Sequence, residues 1–147
     1  MIFDPKESSM TSLETRIQNS FEQQRVMRLL NAKLAKVSPG EVHIELPFQP
    51  QLTQQHGYLH AGIITTVVDS ACGYAAYVLM PPESEVLSVE FKINFLHPAR
   101  GERFLAVGKV VKPGRTLMIC SGELHAFEAG EQKQVALMQA TMICVNN

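Results

Sequence analysis

The chain has 147 residues, of which 46% are apolar and 18% are charged. This composition provides enough apolar side chains for a folded core, argues against intrinsic disorder, and leaves too little length for two full domains. The formal net charge is −1, and no block of like charge is present. The sequence therefore lacks the basic stripe that is typical of nucleic-acid-binding proteins, and we expect no nucleic-acid partner.

The first predicted element is an N-terminal helix. Thr11 and Glu14 have the spacing of a capping box, which predicts that the helix begins near Thr11. Apolar residues follow at helical intervals, namely Leu13, Ile17, Phe21, Met27, Leu30 and Leu34. We expect one helix that ends before Pro39-Gly40, and we divide the single domain into a helical extension, residues 1–36, and a core, residues 37–147.

A strand and a long helix are predicted next. Polar and apolar residues alternate from 41 to 46, which is typical of a half-buried strand. A polar loop follows, and then residues 62–79 form a long apolar run that stops at Pro81-Pro82. This run is too long for a strand and apolar nearly all round, so it predicts a central, buried helix.

The same apolar segment, from Ala61 to Met80, has the length of a membrane span. Its one formal charge is Asp69, and a carboxylate in the middle of a membrane costs about 2.5–3.5 kcal/mol. We therefore expect the helix to be buried by protein, with no membrane contact.

Everything after residue 85 has strand character. Four runs alternate polar and apolar residues, at 87–95, about 103–111, 116–127 and 133–145. Turns are predicted between the runs, at residues 98–101, 112–115 and 128–131. These short connections predict that consecutive strands pair as antiparallel hairpins. The Lys112-Pro113-Gly114-Arg115 connection has the residue order of a type II turn. The expected fold class is α+β, with one antiparallel sheet wrapped around the buried helix.

Asp69 is the first candidate for chemistry, because it lies in an otherwise apolar helix. An ionised carboxylate in such surroundings must be paired, hydrogen-bonded or shifted in pKa. Asp69 is therefore a candidate acid or base. The alternative is a structural carboxylate that points to the solvent edge of the helix or bonds a neighbouring backbone group.

The start of the same helix is a second candidate. Backbone N–H groups at a helix N-terminus are unpaired and carry partial positive charge, so those of Ala61 and Gly62 could bind an oxyanion or polarise a carbonyl. Alternatively, the Ala61-Gly62 pair only begins the helix, and His60 is a capping or core histidine.

Metal and disulfide sites are not indicated. HxH and HExxH spacings are absent from the sequence, and so is CxxC. The three cysteines, Cys72, Cys120 and Cys144, lie in apolar stretches, which is typical of reduced, buried thiols. Residues 1–10 resemble neither a signal peptide nor a transit peptide. We therefore expect a cytoplasmic protein without a metal.

Taken together, the candidate residues have the spacing of a known family. The pattern Gly57-x-x-His60-Ala61-Gly62-x6-Asp69-x3-Gly73 resembles the signature of PaaI-like (phenylacetate-degradation-type) hotdog-fold thioesterases. Further matching motifs are Leu87-Ser88-Val89, Asn94-Phe95-Leu96-x-Pro98-Ala99 and Lys112-x-Gly114-Arg115-Thr116-Leu117. The resemblance covers residues 42–145 and implies the hotdog fold, a curved antiparallel sheet around a long central helix, here with an extra N-terminal helix.

The resemblance implies an acyl-CoA thioesterase that hydrolyses an aromatic or medium- to long-chain thioester and needs no cofactor. Asp69 would be the general base or, alternatively, the nucleophile, and the N–H of Ala61 would polarise the thioester carbonyl. Gln54 and His60 would position the thioester or the water, and Ser88 would support the attacking water. These roles suit a metal-free hydrolysis.

The resemblance also assigns a binding surface for CoA. Its residues are Gly62, Phe95, His97, Lys112, Gly114, Arg115 and Thr116. The two cations around the Pro-Gly turn suit a polyphosphate nucleotide, although a bare turn would simply carry solvated charges. In this family two subunits contribute to each active site, so we expect a homodimer with shared sites and, as the full assembly, a homotetramer.

Two features depart from the family pattern. Ala61 stands where glycine is more common. The strand alternation places Ser88 on the face away from the helix, whereas the expected helix-facing residues are Leu87, Val89 and Phe91. Ser88 would need a bulge or a subunit boundary to reach the site.

Two other functions remain open. A non-catalytic acyl-CoA-binding protein would keep the pocket and the turn at Lys112 and Arg115 but would not need Asp69. A hotdog hydratase or dehydratase would pair a loop histidine with an acid on the helix, but the His-Phe-Pro-like loop expected of that class is missing.

Overall fold

The computed structural model describes the backbone of residues 5–146 and the side chains of residues 12–146. The helices are α1 (Pro5–Gln23), α2 (Arg25–Leu29) and α3 (Ala61–Tyr77). The strands are β1 (Lys33–Ser38), β2 (Glu41–Pro47), β3 (Ser84–Phe95), β4 (Arg103–Lys112), β5 (Leu117–Glu128) and β6 (Glu131–Asn146).

The strands form one antiparallel sheet in the order β1-β2-β4-β5-β6-β3. Helix α3 contacts five of these strands, β2 to β6, and its apolar residues form the core together with the sheet. The predicted α+β architecture, an antiparallel sheet around a buried central helix, is confirmed. Among residues 5–146, no helix combines the length and the hydropathy that a membrane crossing requires.

Two glycines allow α3 to lie close to the sheet. Gly108 on β4 and Gly122 on β5 are cross-strand partners. A Cβ atom at Gly108 would overlap the carbonyl oxygen of Ala71, and a Cβ at Gly122 would lie 2.5 Å from Cγ1 of Val68. Glycine in a strand interior often marks such a close approach. This pair therefore sets the distance between α3 and the sheet.

The N-terminal region differs from the predicted single helix. Thr11 lies inside α1, so the predicted capping box does not begin the helix. The helical region is interrupted at Gln24, which has extended backbone angles. Residues 33–38 form β1, paired with β2, so the predicted helix through residue 36 is wrong. Leu34 still packs against the core from the strand, because short apolar spacing does not distinguish the two structures.

The connection between β3 and β4 is not a hairpin, contrary to the prediction. β3 lies at the sheet edge beside β6, whereas β4 lies between β2 and β5. Passing from β3 to β4 crosses three inter-strand spacings, about 14 Å in all. The seven residues 96–102 can extend over about 23 Å, so a short connection does not require neighbouring strands here.

The predicted turns have different geometries. The predicted turn at residues 128–131 is present, with positive φ angles at Ala129 (51°) and Gly130 (79°), as in a type I′ hairpin. Gly114 is not among the positive-φ residues of the described chain, so the predicted type II turn, which requires a positive φ there, is wrong. Gly114 instead lies close to the backbone of Leu117, because a Cβ atom at this position would overlap the carbonyl oxygen of Leu117.

Candidate active site

Asp69 lies in the third turn of α3, where it is half-buried. Its Oδ1 accepts a hydrogen bond of 2.7 Å from the hydroxyl of Ser88 on β3. Burial raises the pKa of Asp69, and the Ser88 hydrogen bond opposes part of this effect. The arrangement suits a general base, because a higher pKa makes the carboxylate a better proton acceptor.

A bulge in β3 brings Ser88 to this position. The register with β6 shifts between Ser88 and Glu90, so that Ser88 is opposite Met142 and Phe91 is opposite Ala140. Since side chains alternate along a strand, the extra residue lets both Ser88 and Phe91 face α3.

The predicted orientation of the first half of β3 is therefore wrong. Leu87 and Val89, expected to face the helix, are 59% and 53% exposed. Phe91 faces the helix side as expected but remains 43% exposed. A period-2 pattern does not reveal this bulge, because polar and apolar residues continue to alternate through it in the sequence.

His60 caps α3. Its Nδ1 accepts a hydrogen bond of 2.8 Å from the N–H of Gly62. The N–H of Ala61 has no acceptor among residues 5–146, and both residues are exposed. Of the two donors predicted at the helix start, Ala61 is therefore the one available to a ligand.

Gln54 stabilises the loop that precedes this helix. Its side-chain oxygen accepts a 2.5 Å hydrogen bond from the N–H of His56, and Gly57 adopts a positive φ of 85° in the same turn. The N–H of His60 donates to the carbonyl of Leu52 (2.9 Å). These contacts order the loop that carries Gln54 and leads to His60 at the helix start.

The candidate residues fall into two groups within one chain. Asp69 follows Ala61 by eight residues, which is about 12 Å along a helix axis. Phe95 follows Ser88 by seven residues along β3, which is about 23 Å in a strand. The helix start and the Asp69–Ser88 pair therefore do not form one constellation within a single subunit.

The residues assigned to CoA divide in the same way. His97 follows Phe95 closely and approaches Val135 at the far end of β3. Lys112 and Arg115 are exposed and lie near the opposite end of β3. Leu117, two residues after Arg115, is paired with Ile143 of β6, and Ile143 is also paired with Leu87, the neighbour of Ser88 on β3. Thr116 accepts a 2.8 Å hydrogen bond from the N–H of Cys144. Lys112 and Arg115 therefore lie at the Ser88 end of the sheet.

A cavity of about 160 Å³ adjoins Asp69. It is lined by Ser20, Gln24, Asp69, Ser70, Gly73, Tyr74, Glu85, Val86, Ser88 and Met142. Ser20 and Gln24 were not predicted from the sequence as part of this site. The available signal was weak: Ser20 is a polar residue three positions after Ile17, on the side of α1 that faces the core.

The described cysteines are free thiols. Burial raises the pKa of the Cys72 thiol and raises that of Cys120 to about 11, so both are protonated and poorly nucleophilic at neutral pH. Among residues 12–146, no cluster of three or more potential metal-ligating side chains occurs.

An antiparallel sheet wrapped around a long helix is the architecture of the hotdog fold. Residues 56–132 match a family model described as the Thioesterase superfamily. The chain belongs to this superfamily and is a thioester hydrolase, which confirms the class of enzyme that the sequence predicted.

Three similar proteins illustrate the relationship. A crystal structure of a thioesterase family protein from Silicibacter pomeroyi is 49% identical, with a TM-score of 0.91 over 92% of this chain and 99% of that one. Acyl-coenzyme A thioesterase 13 of Mus musculus is 32% identical over 67% of this chain and 70% of its own length. The PaaI protein of Escherichia coli is 18% identical, with a TM-score of 0.82 over 92% of this chain and 94% of that one, and this likeness concerns the fold. The predicted hotdog fold and PaaI-like resemblance are confirmed.

Proposed function

We propose that the protein hydrolyses an aromatic or medium- to long-chain acyl-CoA to the free acid and CoA. The observation that carries the proposal is the half-buried Asp69 carboxylate, with its raised pKa and its 2.7 Å hydrogen bond from Ser88. The name of the mouse relative, acyl-coenzyme A thioesterase 13, supports CoA as the thiol of the substrate.

In the proposed reaction Asp69 takes a proton from a water molecule as the water oxygen attacks the thioester carbonyl carbon. The carbonyl oxygen gains negative charge, which the N–H of Ala61 stabilises at the positive end of a helix. The C–S bond then breaks, and the CoA sulfur leaves with the proton from Asp69. Ser88 holds the carboxylate, and Gln54 and His60 position the thioester or the water.

Asp69 could instead attack the carbonyl carbon directly and form a mixed anhydride that water then hydrolyses. Transfer of label to Asp69 in a single turnover in ¹⁸O-labelled water would demonstrate the direct route. Direct attack with hydrolysis at the aspartyl carbon would leave the label on Asp69, whereas a general base would leave it only in the product acid. We favour the general base, because Ser88 already donates to the carboxylate oxygen Oδ1.

The separation of the two groups of residues supports a homodimer with shared sites. β3 is an edge strand of twelve residues, and a free edge is a template for pairing with another chain. Antiparallel pairing of two copies of β3 would bring the Ser88 end of one near the Phe95 end of the other. Phe91 and Phe95, which face the helix side, are 43% and 47% exposed, and a second subunit would cover them.

We extend this proposal to a homotetramer. Several large apolar side chains elsewhere on the strands are exposed, namely Leu87, Val89, Val111, Leu117 and Leu137. Apolar patches of this kind often mark protein–protein contacts. The free cysteines favour a reducing compartment, which supports a cytoplasmic enzyme.

The CoA moiety is proposed to bind across the subunit boundary. Lys112 and Arg115 are exposed, and they would bind its phosphates beside the backbone of Gly114 and Thr116. Phe95 and His97, with Gly62 at the helix start, would contact the pantetheine from the other subunit. This arrangement uses both groups of residues in a single substrate site.

The test is release of free CoA from a panel of acyl-CoA thioesters. Asp69→Asn should lower kcat about 10²–10⁴-fold, because the amide has nearly the same shape but cannot accept the proton. Glu123→Gln, a matched change at a carboxylate that bonds His125 instead, should leave the rate unchanged. Wild-type hydrolysis by Asp69→Asn would contradict the proposal. Binding of acyl-CoA without any thiol release would favour the non-catalytic binding protein.

A further inference from the structure

The two carboxylate oxygens of Asp69 have different surroundings. Oδ1 accepts the 2.7 Å hydrogen bond from the hydroxyl of Ser88. Among residues 12–146, no group donates to Oδ2. Asp69 takes a proton from water in the proposed reaction, and Oδ2 is the oxygen that is available to receive it. The polar groups next to this carboxylate therefore determine how the attacking water can be held.

The cavity beside Asp69 is suited to water. Its walls come from α1, α3, β3 and β6 of one subunit, together with Gln24, which follows α1 directly. Seven of its ten lining residues have polar or charged side chains, namely Ser20, Gln24, Asp69, Ser70, Tyr74, Glu85 and Ser88. A bound water needs about two to four polar partners and a volume of about 30 Å³. A water therefore fits here even if a second subunit fills much of the remaining space.

The half-buried side chain of Gln24 has donor hydrogens that no protein group uses. Its oxygen accepts a 2.9 Å hydrogen bond from Ser70, the residue that follows Asp69 in α3. Among residues 12–146, its amide nitrogen donates to no acceptor. Since Gln24 and Asp69 line the same cavity, a water that accepts a hydrogen bond from this nitrogen can donate one to Oδ2.

Ser70 makes this contact in place of a local one. Thr65 and Thr66 each donate their hydroxyl to the carbonyl oxygen four residues earlier in α3, at 2.8 Å. Serine in a helix commonly makes the same bond, but the hydroxyl of Ser70 donates to Gln24 instead. The contact therefore fixes the orientation of the Gln24 amide at the expense of a bond within the helix.

The backbone at Gln24 is held on both sides. It interrupts the helical region with φ −79° and ψ 95°. Its N–H donates to the carbonyl of Phe21 (3.1 Å), and its carbonyl accepts from the N–H of Met27 (3.0 Å). Phe21 is 5% exposed and Met27 is fully buried, and the ring of Phe21 lies 5.9 Å from that of Tyr74. Gln24 therefore has the rigid support that a catalytic group requires.

We propose that Gln24 is a further catalytic residue, whose side-chain amide holds the attacking water against Oδ2 of Asp69, and that Ser70 positions this amide. This role rests on the proposed function above and deepens it. One lone pair of the water accepts from Gln24, one hydrogen is transferred to Asp69, and the other lone pair attacks the carbonyl carbon. Gln24 lies outside residues 56–132, the part that matches the superfamily model.

The proposal divides the reactants between two subunits. The water is held by the N-terminal region and α3 of one subunit, whereas the N–H of the partner's Ala61 polarises the thioester carbonyl. Gln54 and His60 then position the thioester, and the water is left to Gln24 and the Asp69–Ser88 pair.

Steady-state kinetics provides the first test. Gln24→Met removes the amide with little change in side-chain length and should lower kcat about threefold to tenfold, the range expected for one hydrogen bond. KM should change little, because the lost contact is made to water and not to the substrate. Gln23→Met, at the exposed neighbouring position, is the matched control and should leave kcat unchanged. A wild-type kcat in Gln24→Met would overturn the proposal.

A double-mutant cycle tests the role of Ser70. Ser70→Ala should lower kcat by less than Gln24→Met does, because the amide is still present but is no longer oriented. Adding Ser70→Ala to Gln24→Met should cause no further loss, since Ser70 acts through Gln24. Losses that add in the double variant would overturn the positioning role of Ser70.

A crystal structure of the assembled protein tests the water without catalysis. The wild-type protein should show an ordered water within about 3.2 Å of both Nε2 of Gln24 and Oδ2 of Asp69, and Gln24→Met should lack it. A side chain of the second subunit in that place, or the absence of an ordered water there, would overturn the proposal.

The failure of this inference and the failure of the proposed function give different results. If the wild-type protein releases no thiol from any acyl-CoA, or if Asp69→Asn remains fully active, the proposed function fails and the catalytic role of Gln24 fails with it. If the wild-type protein is active and Asp69→Asn is not, an unchanged kcat in Gln24→Met overturns the role of Gln24 alone.

Discussion

Two opposing effects determine the pKa of Asp69. Desolvation by the surrounding protein disfavours the ionised carboxylate and is the larger effect, while the Ser88 hydroxyl stabilises the ionised form. The net result is a raised pKa. Because the Ser88 hydrogen bond opposes the effect of burial on the pKa of Asp69, Ser88 should have a measurable influence on catalysis.

Ser88→Ala should shift the acidic limb of the kcat/KM–pH profile to higher pH. The variant removes the hydrogen bond that lowers the pKa of Asp69 but retains the burial that raises it. Ser121→Ala, on the neighbouring strand β5, is the control and should leave the profile in place. An unshifted limb in Ser88→Ala would mean that another group controls the rate at low pH.

Asp69→Asn should stabilise the fold at neutral pH. Because burial raises the folded-state pKa of Asp69 above its unfolded value, the ionised carboxylate destabilises the folded state at pH values above both pKa values. This penalty shrinks as the pH falls through the window between them, and it vanishes below the unfolded-state pKa of about 3.9.

Urea denaturation at pH 7 and at successively lower pH values provides the measurement. Asp69→Asn should unfold at a higher urea concentration than the wild-type protein at pH 7, and the difference should diminish as the pH falls. A less stable variant at pH 7 would indicate that the favourable contacts of the carboxylate outweigh its desolvation in the folded state.

At the scale of elements, the contact between α3 and the sheet is the most sensitive to added volume. Gly108 and Gly122 leave no space for a Cβ beneath Ala71, Val68 and Cys72. Overpacking a close-packed interior typically costs about 1–3 kcal/mol, because neighbouring groups must shift. Helix α3 carries Asp69, so any displacement of the helix also moves the site.

Gly108→Ala should therefore lower the free energy of unfolding by about 1–3 kcal/mol or more. Gly73→Ala is the informative comparison, because its Cβ would meet no atom within 4 Å, and replacing a helical glycine should stabilise the protein by about 0.5–1 kcal/mol. Denaturant titration of both variants measures the effect. Equal stability of Gly108→Ala and the wild-type protein would contradict the close approach of α3.

At the scale of the whole molecule, the proposed CoA site depends on Lys112 and Arg115. Replacing both with alanine should raise KM for acyl-CoA about tenfold or more with little change in kcat, because phosphates far from the reacting carbon bind ground and transition states alike. Added salt should weaken wild-type binding in the same direction.

Steady-state kinetics on two substrates tests this site. KM for a thioester without the nucleotide should not change in the Lys112/Arg115 variant. The control variant, Arg25→Ala with Lys33→Ala, removes two exposed cations elsewhere and should leave KM for acyl-CoA unchanged. An unchanged KM in the Lys112/Arg115 variant would indicate a solvated turn.

A mixed dimer tests the shared site. Subunits carrying Asp69→Asn and subunits carrying Gln54→Ala should each be nearly inactive alone. Mixing them should restore activity, because one of the two sites in a mixed dimer then combines an intact Asp69 with the partner's intact Gln54. Light scattering should show at least a dimer at micromolar concentration. A monomer, or no recovery of activity on mixing, would contradict sites shared between subunits.

Much of the architecture and of the candidate site could be predicted from the sequence. The apolar run that forms α3 and the charge of Asp69 within it are local properties of the chain, and burial makes such a carboxylate stand out. The hotdog class of enzyme was predicted from the resemblance of several motifs to a known family, the pattern from Gly57 to Gly73 and the three motifs that follow it. The turn at Ala129-Gly130 was also locally determined, because few residues adopt two successive positive φ angles.

Only the tertiary structure decided which elements meet. Periodicity along a chain indicates which side of a strand is apolar, but it does not indicate which strand lies beside it, because strand pairing is non-local. The sequence therefore predicted that β3 pairs with β4, whereas β3 pairs with β6. The bulge after Ser88 reverses the alternation that the sequence displays, and it alone brings the hydroxyl to Asp69. The polar residues Ser20 and Gln24 reach the same cavity because α1 folds back across α3, a contact that no local pattern encodes.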